Sequence, residues 1–348
     1  MMKLDVYDEQ VVSEIRDLIA SIGGDPHEFD GELVKEMIQT CLKFIRDEHN
    51  TGQLKLINSS LREMRYAYSI FNKYPKSKRI SIFGSARTPE DHPDYRAAAT
   101  FGELMAKAGW MSITGAASGI MKAGIQGAEH GNSFGLAIRL PFEEPANSLI
   151  TGDPKLISFR YFFTRKLMFL SHSDAIAAFP GGVGTMDEVF ESLTLMQTGK
   201  SVIVPLVFVE GEGGSYWKNW EDYLKNNQLA CGWISPDDLN LFYRAQSPED
   251  AYNHIIRFYS CYHSSRYVKD LLVLRLNETL TEEQVEQLND EFSDLIVSGK
   301  MELKDALPQE SDHLNLPRLV FHHNRNHFGR VRLLIDQINA FSSSGGAW

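Results

Sequence analysis

The stretch Ala175-Ile-Ala-Ala-Phe-Pro-Gly-Gly-Val-Gly-Thr-Met-Asp-Glu188 decides how this chain is read. Residues 175–179 are continuously apolar, as a strand buried on both faces must be. Pro180 follows, and from Thr185 the chain reads as a helix running to residue 198. Between strand and helix stand Gly181, Gly182 and Gly184. Glycine permits φ > 0 and leaves backbone N–H groups bare to an approaching anion. The helix start adds a partial positive charge, and Thr185 adds a hydroxyl donor. Together they read as a phosphate cradle at a βα turn. No Lys-Ser or Lys-Thr follows the last glycine, so this is not a Walker A loop. A tight structural turn is the simpler alternative, which one Gly-Gly pair would favour and this triple does not.

Outward from that turn, short apolar strands alternate with helices. Strands are predicted at residues 79–83, 110–114, 134–140 and 202–209. Helices are predicted at 95–108, from the 115–119 turn through 130, at 155–171 and at 216–226. Such alternation implies an α/β fold, a Rossmann-like doubly wound parallel sheet, with ligands beyond the carboxyl ends of its strands. Residues 1–74 read as a helical N-terminal extension. Leu33, Met37, Ile38, Cys41, Leu42 and Ile45 share one helix face, and Leu54, Ile57, Leu61, Met64, Tyr68 and Phe71 share another. Pro75 marks the boundary. After a helix at 248–262 come a strand at 271–276, a helix opened by the capping box Thr281-Glu-Glu-Gln284, a strand at 319–323 and a helix at 328–341. The expected domains are therefore 1–74, a Rossmann-like domain at 75–262 and a small C-terminal βαβα extension at 263–348.

Composition narrows the function. Thirty-five Lys and Arg against 46 Asp and Glu give a formal charge of −11, which argues against a general nucleic-acid binder. The three cysteines, Cys41, Cys231 and Cys261, are far apart and form no CxxC pair, so neither a disulfide framework nor a zinc knuckle is implied. A reducing cytoplasm is the expected location. The N-terminus has no secretory pattern, and the longest apolar run, 202–209, falls short of the ~20 residues that span a bilayer. No membrane partner is expected. His322 and His323 point to opposite faces of a strand, and with His327 they make no metal set; no metal and no cofactor are called for.

Glu188 lies three residues after Thr185, on the same face of the first helical turn. That puts a carboxylate at about the reach of a ribose below the phosphate, although helix starts also attract carboxylates as dipole partners. Asp187 points elsewhere, and Glu191 follows Glu188 one turn on. Arg165 and Lys166 lie in the helix leading to the motif strand. A guanidinium there can hold phosphate or a departing base; a solvated charge pair is the plainer alternative. Gly84-Ser85-Ala86-Arg87 and Gly115-Ala-Ala-Ser-Gly119 are two further turns at strand carboxyl ends, each able to contact a nucleotide, with a plain loop the simpler alternative.

On these residues the chain resembles the LOG ("Lonely Guy") family of nucleoside 5′-monophosphate phosphoribohydrolases, many members of which carry an older lysine decarboxylase label. The family hallmark PGGxGTxxE stands as Pro180-Gly-Gly-Val-Gly-Thr-Met-Asp-Glu188, and its Arg-Lys pair as Arg165-Lys166. Phe83-Gly-Ser-Ala-Arg87, Leu140-Pro-Phe-Glu143 and Tyr262-His-Ser-Ser-Arg-Tyr267 are similar to segments of its larger bacterial branch. The resemblance covers residues 77–262 best. It implies cleavage of the N-glycosidic bond of a purine-type nucleoside 5′-monophosphate, AMP or a cytokinin riboside 5′-monophosphate, to free base and ribose 5-phosphate. It implies Arg165 and Glu188 as the catalytic pair. It assigns Gly181, Gly182, Val183, Gly184, Thr185, Ser85, Gly115 and Lys166 to the phosphate and ribose. A homodimer or higher homo-oligomer, with the site close to the subunit contact, is the implied assembly.

One turn departs from the family. Where many relatives read close to GGGPGIMEA, this chain has Gly115-Ala-Ala-Ser-Gly-Ile-Met-Lys-Ala123, and methyl groups at Ala116 and Ala117 are expected to narrow the ligand's approach. A non-catalytic nucleotide or molybdenum-cofactor carrier is the alternative class; it needs the cradle but not the pair Arg165 and Glu188. A literal decarboxylase needs a Schiff-base lysine. Lys122 and Lys166 are available, and nothing in the sequence organises either.

Overall fold

A computed structural model describes residues 5–74, 77–127, 131–140 and 146–342. The chain divides into two compact units, Met1–Glu63 and Met64–Trp348. The first holds α1 (Glu9–Ser21), α2 (Phe29–Lys43) and most of α3 (Thr51–Phe71), whose residues from Met64 on belong to the second. Within it, the buried Gln39 donates from Nε2 to the Val6 carbonyl at 2.8 Å, and Arg16 meets Glu32 at 2.8 Å.

The second unit begins with β1 (Arg79–Phe83), α4 (Pro93–Lys107), β2 (Met111–Thr114), α5 (Ile120–Gln126) and β3 (Ser133–Ile138). It continues through β4 (Leu156–Phe159), α6 (Phe162–Ser171), β5 (Ala175–Ala178), α7 (Val183–Gln197), β6 (Leu206–Phe208), α8 (Tyr216–Tyr223), β7 (Tyr243–Arg244) and α9 (Pro248–Phe258). The strands form one sheet in the order β4-β3-β2-β1-β5-β6-β7, parallel throughout. Side-chain alternation explains the apolar runs. Ile80, Ile82, Ala175 and Ala177 pack with Phe101 of α4 and Ile255 of α9, whereas Ile113, Leu136, Ile176 and Ala178 pack with Phe169 of α6 and Trp217 of α8. Both faces are covered, as a parallel sheet requires. Burying a side chain such as Phe101 or Phe169 contributes about 1.5–3 kcal/mol.

The strand order also locates a crevice. From β1 the chain steps outward through β2, β3 and β4, then returns to lay β5 on the other flank of β1. The reversal between β1 and β5 is the switch point where such sheets take ligands.

Several expectations need correction. The helix expected over 155–171 is strand β4 followed by α6. Ile157 and Phe159 are buried while Ser158 is exposed, an alternation too short to stand out against the helical stripe beside it. The strand expected over 202–209 is confined to β6, because Pro205 precedes it. The short β7 has no sequence signal. The helix α8 continues as a π-helical turn, Leu224–Leu229. The expected run of α5 to residue 130 lies partly outside the described residues, as do Pro75, the Pro-Phe-Glu of the 140–143 segment and the Ser-Gly tail from 343.

The C-terminal region has the four elements of the expected βαβα extension and two further strands, Tyr262–Val268 and Ile296–Lys304. It contains β8 (Tyr262–Val268), β9 (Leu271–Leu276), α10 (Glu282–Glu291), β10 (Ile296–Lys304), β11 (Arg318–His323) and α11 (Phe328–Ala340). The strands form a separate antiparallel sheet, β10-β11-β9-β8. Leu274, Leu276, Leu319 and Phe321 face α10 and α11. The opposite face carries a buried ion network. Glu310 accepts from Arg275 Nη2 at 2.7 Å and Arg318 Nε at 3.1 Å, with all three side chains at most 8% exposed. Gly329 of α11 lies so close to the Asp237 carbonyl that a Cβ there would sit 2.0 Å from its oxygen.

Candidate active site

The turns that follow β1, β2 and β5 converge on a cavity of about 590 Å³. Main-chain bonds hold them together. The Ser85 N–H donates to the Pro180 carbonyl at 3.1 Å, and the Ser85 carbonyl accepts from the Ile120 N–H at 3.0 Å. Gly119 makes the second bond possible: it has φ +63°, and a Cβ there would lie 2.3 Å from the Ser85 oxygen. One residue after β1 thereby aligns the other two turns.

The three motif glycines do different things. A Cβ on Gly181 would lie 2.2 Å from Thr185 Oγ1 and 2.9 Å from the Ser85 nitrogen, so packing requires that glycine. At Gly182 and Gly184 a Cβ would meet no protein atom within 4 Å, and neither has a positive φ. The protein itself has no need of those two glycines; what their bareness provides is open cavity wall. Gly182 caps α7, its carbonyl accepting from the N–H groups of Thr185 and Met186 at 3.1 Å each. Among the described residues no acceptor meets the N–H of Gly182, Val183 or Gly184. Three adjacent donors at a helix start, opening on bare wall, suit an anion.

Thr185 and Glu188 line the same cavity one turn apart, at 7% and 5% exposure. The Oε2 atom of Glu188 is buried and has no partner among the described residues. Burial pushes the Glu188 carboxyl up to about 7, against the pull of the Lys166 and Arg165 charges. Arg165, also in the wall, holds its guanidinium 5.1 Å from the Phe162 ring centre and 5.8 Å from that of Phe169.

Of the residues named from the sequence, Ser85, Gly115, Arg165, Gly182, Val183, Gly184, Thr185 and Glu188 therefore share one cavity wall. Gly181 lies behind it. Lys166 is not among the lining residues: its Nζ sits 2.8 Å from Asp187 Oδ2 and 3.7 Å from Glu191 Oε2. Lys122 pairs with Glu90 at 2.6 Å, also outside the wall. Neither lysine is placed to form a Schiff base in this cavity. The alanine turn is also resolved: Ala117 lines the cavity, whereas the Ala116 methyl is buried with Ile125 and Ile150, at φ +64°. Only one of the two methyls narrows the approach.

Arg87, named only as part of its turn, and Phe162, given no role from the sequence, also line the wall. Arg87 carried a signal, a cation directly after the β1 turn; Phe162 sat in an aromatic run with no way to tell which ring faces inward. Elsewhere, His322 Nδ1 lies 2.9 Å from Ser298 Oγ and His323 Nδ1 lies 2.6 Å from Tyr267 Oη. Burial lowers His323 to about 4. Among the described residues no three His, Cys, Asp or Glu are grouped to hold a metal ion, and no helix is long and apolar enough to cross a membrane.

A Rossmann-like sheet with a cleft at its switch point gives the class. The chain belongs to the LOG family: the family model described as "possible lysine decarboxylase" matches residues 105–255. An uncharacterized protein of Archaeoglobus fulgidus is 30% identical over 138 residues, 39% of this chain and 86% of that protein. Among solved structures, the molybdenum cofactor binding protein of Rippkaea orientalis is 20% identical, with a TM-score of 0.38 over 52% of this chain and 96% of that one. The molybdenum cofactor carrier protein of Chlamydomonas reinhardtii is 19% identical, with a TM-score of 0.38 over 52% of this chain and 98% of that one. Membership of the family supports a nucleotide-related function.

Proposed function

We propose that the protein hydrolyses the N-glycosidic bond of a purine-type nucleoside 5′-monophosphate, AMP or an N6-substituted relative, releasing free base and ribose 5-phosphate. The observation that carries this reading is the buried Glu188 carboxylate, whose Oε2 has no partner among the described residues, one helical turn below the N–H groups at the start of α7. An anion held by Gly182, Val183, Gly184 and the Thr185 hydroxyl supplies binding energy remote from the reacting bond and so positions the sugar. Cleavage passes through an oxocarbenium-like ribose, as in glycoside hydrolysis. Ionised Glu188 stabilises that charge and takes a proton from the attacking water. The bonding pair leaves with the base nitrogen, which takes a proton from solvent water, while the attacking water's oxygen joins C1′ and its proton, held by Glu188, returns to solvent. A carboxyl near 7 is basic enough for this at neutral pH and is ionised in a useful fraction of molecules. Arg165 donates hydrogen bonds to the departing base. The reading includes a homodimer, supported by half-exposed Phe163 and Leu167 on α6 and by Val183, 88% exposed, at the start of α7; light scattering tests it.

The decisive assay incubates the protein with AMP, GMP, CMP, UMP and N6-isopentenyl AMP and follows base and ribose 5-phosphate by chromatography, with adenosine and ATP as controls. Base released from a monophosphate and not from adenosine is the expected result. Tight binding with no base released overturns hydrolysis in favour of a carrier.

A further inference from the structure

A second cleft, behind the cradle, bears on how the first one works. It is lined by Pro180, by Glu210 and the loop after it, and by Tyr216 at the start of α8. Tyr216 does not line the Glu188 cavity. Its hydroxyl nevertheless donates to the Gly181 carbonyl at 2.7 Å. The tyrosine is itself held from two sides. Its N–H donates to Glu210 Oε2 at 2.8 Å, and its ring meets Trp217 edge-on at 4.9 Å, which stacks on Phe208 of the sheet at 4.2 Å.

The Gly181 carbonyl belongs to the same peptide group as the Gly182 N–H. There are no cis peptide bonds among the described residues. In a planar trans peptide C=O and N–H point in opposite directions. Fixing the carbonyl toward Tyr216 therefore turns the Gly182 N–H away from it, and Gly182 lines the cavity. The peptide is flanked by glycine on both sides, so little steric cost opposes its rotation. A single hydrogen bond, of about 0.5–1.5 kcal/mol net, is enough to choose between two orientations of comparable energy.

We propose that Tyr216 is a positioning residue for phosphate recognition, aiming the Gly182 N–H into the cavity through its hydrogen bond to the Gly181 carbonyl. The inference rests on the phosphate reading given above. Without the hydroxyl, molecules with the peptide turned the other way bind phosphate less well, and apparent affinity falls by the fraction still competent.

The test is calorimetric titration of the full chain with ribose 5-phosphate and, separately, adenosine, for wild type and Tyr216→Phe, with a thermal melt of each. The expected result is an affinity for ribose 5-phosphate weaker by about 1.5- to twofold in Tyr216→Phe, with adenosine affinity unchanged and the melting temperature lowered by no more than a few degrees. Unchanged ribose 5-phosphate affinity overturns the proposal, and so does a parallel loss for adenosine, which marks a purely structural role. If wild type does not bind ribose 5-phosphate, the phosphate reading itself has failed, a result distinguishable from both. Should Tyr216→Phe not fold, Glu210→Ala, which loosens Tyr216 from outside the cavity, carries the same expectation and the same refutation.

Discussion

Lys166 Nζ lies 2.8 Å from Asp187 Oδ2, and this bridge joins α6 to α7 through the sequence neighbours of the two residues on which the chemistry is proposed to rest. Arg165 precedes Lys166 and Glu188 follows Asp187. One member of each pair closes the salt bridge; the other lines the cavity. The bridge ties the two helices together beside the wall that carries the guanidinium and the carboxylate.

Replacing Glu188 by Gln should reduce turnover at least about a hundredfold, the usual worth of a positioned acid or base. It should also stabilise the fold in a defined pH window. The folded-state carboxyl is raised from 4.5 to about 7, so the native protein holds its proton more tightly than the unfolded chain between those values. Stability therefore falls as pH rises from 4.5 to 7, and the whole penalty, of order 3 kcal/mol, is present above 7. Urea titrations should show Glu188→Gln more stable than wild type at pH 8 and equal to it at pH 4. Equal stability at pH 8 would mean Glu188 is not a strained buried acid.

The rate of base release should rise with pH and level off above an inflection near 7, as Glu188 ionises. Lys166 is the largest of the charges that favour the ionised form, so Lys166→Ala should move the inflection to higher pH. Arg165→Ala should cost about 10²-fold in kcat on the plateau above the inflection, as loss of a donor to developing charge does, and should also move the inflection to higher pH, because the Arg165 charge favours ionised Glu188. Movement of the inflection to lower pH in Lys166→Ala would contradict this account.

Gly182→Ala and Gly184→Ala separate binding from stability. Each new methyl meets no protein atom, and at Gly184 it adds up to about 1 kcal/mol of helix propensity. Melting temperatures should hold or rise while ribose 5-phosphate binding is lost. Gly181→Ala should do the opposite first, because its methyl collides with Thr185 and the Ser85 backbone. Calorimetry and thermal melts on the three variants check the pattern; equal behaviour of all three would break it.

The alanine turn makes its own prediction. Ala117→Gly should change KM for the monophosphate, and Ala116→Gly should not. For Ala116→Gly, relief of a left-handed alanine, about 1–2 kcal/mol, is offset by loss of a buried methyl, about 0.8 kcal/mol. Chemical denaturation should place it within about 1 kcal/mol of wild type.

In the C-terminal sheet, Glu310→Gln leaves Arg275 and Arg318 buried without a countercharge. Loss of about 3–5 kcal/mol is expected from urea unfolding of this variant. A loss below about 1 kcal/mol would show that water reaches the network.

How far the sequence carried can be seen element by element. The strand at 79–83 was legible to the residue, because Ile80, Ile82 and Phe83 are apolar between two breaks. The strand β4 was not, because its four residues abut a helix with a stronger pattern. In β8, His263, Ser264, Ser265 and Arg266 are half-buried, and β10 is largely exposed with irregular register, so neither shows a period of two. The glycine turn after β5 was legible because its composition is local. The meeting of that turn with Ser85 and Gly115 came from the family resemblance alone, since it depends on β1 lying between β2 and β5, which spacing along the chain does not encode. Side-chain direction was the other blind spot: Arg165 and Lys166 look alike on paper, yet one lines the cavity and the other pairs with Asp187.

The Ser85 bonds that align the three turns involve only its N–H and its carbonyl. Side-chain replacement at 85 leaves both in place; only proline, which has no N–H to give Pro180, removes one. The frame of the cleft is thus insulated from most point substitution at its own keystone. Evolution can change what position 85 offers a ligand without disturbing where the other turns stand, and an engineer seeking new specificity can begin there.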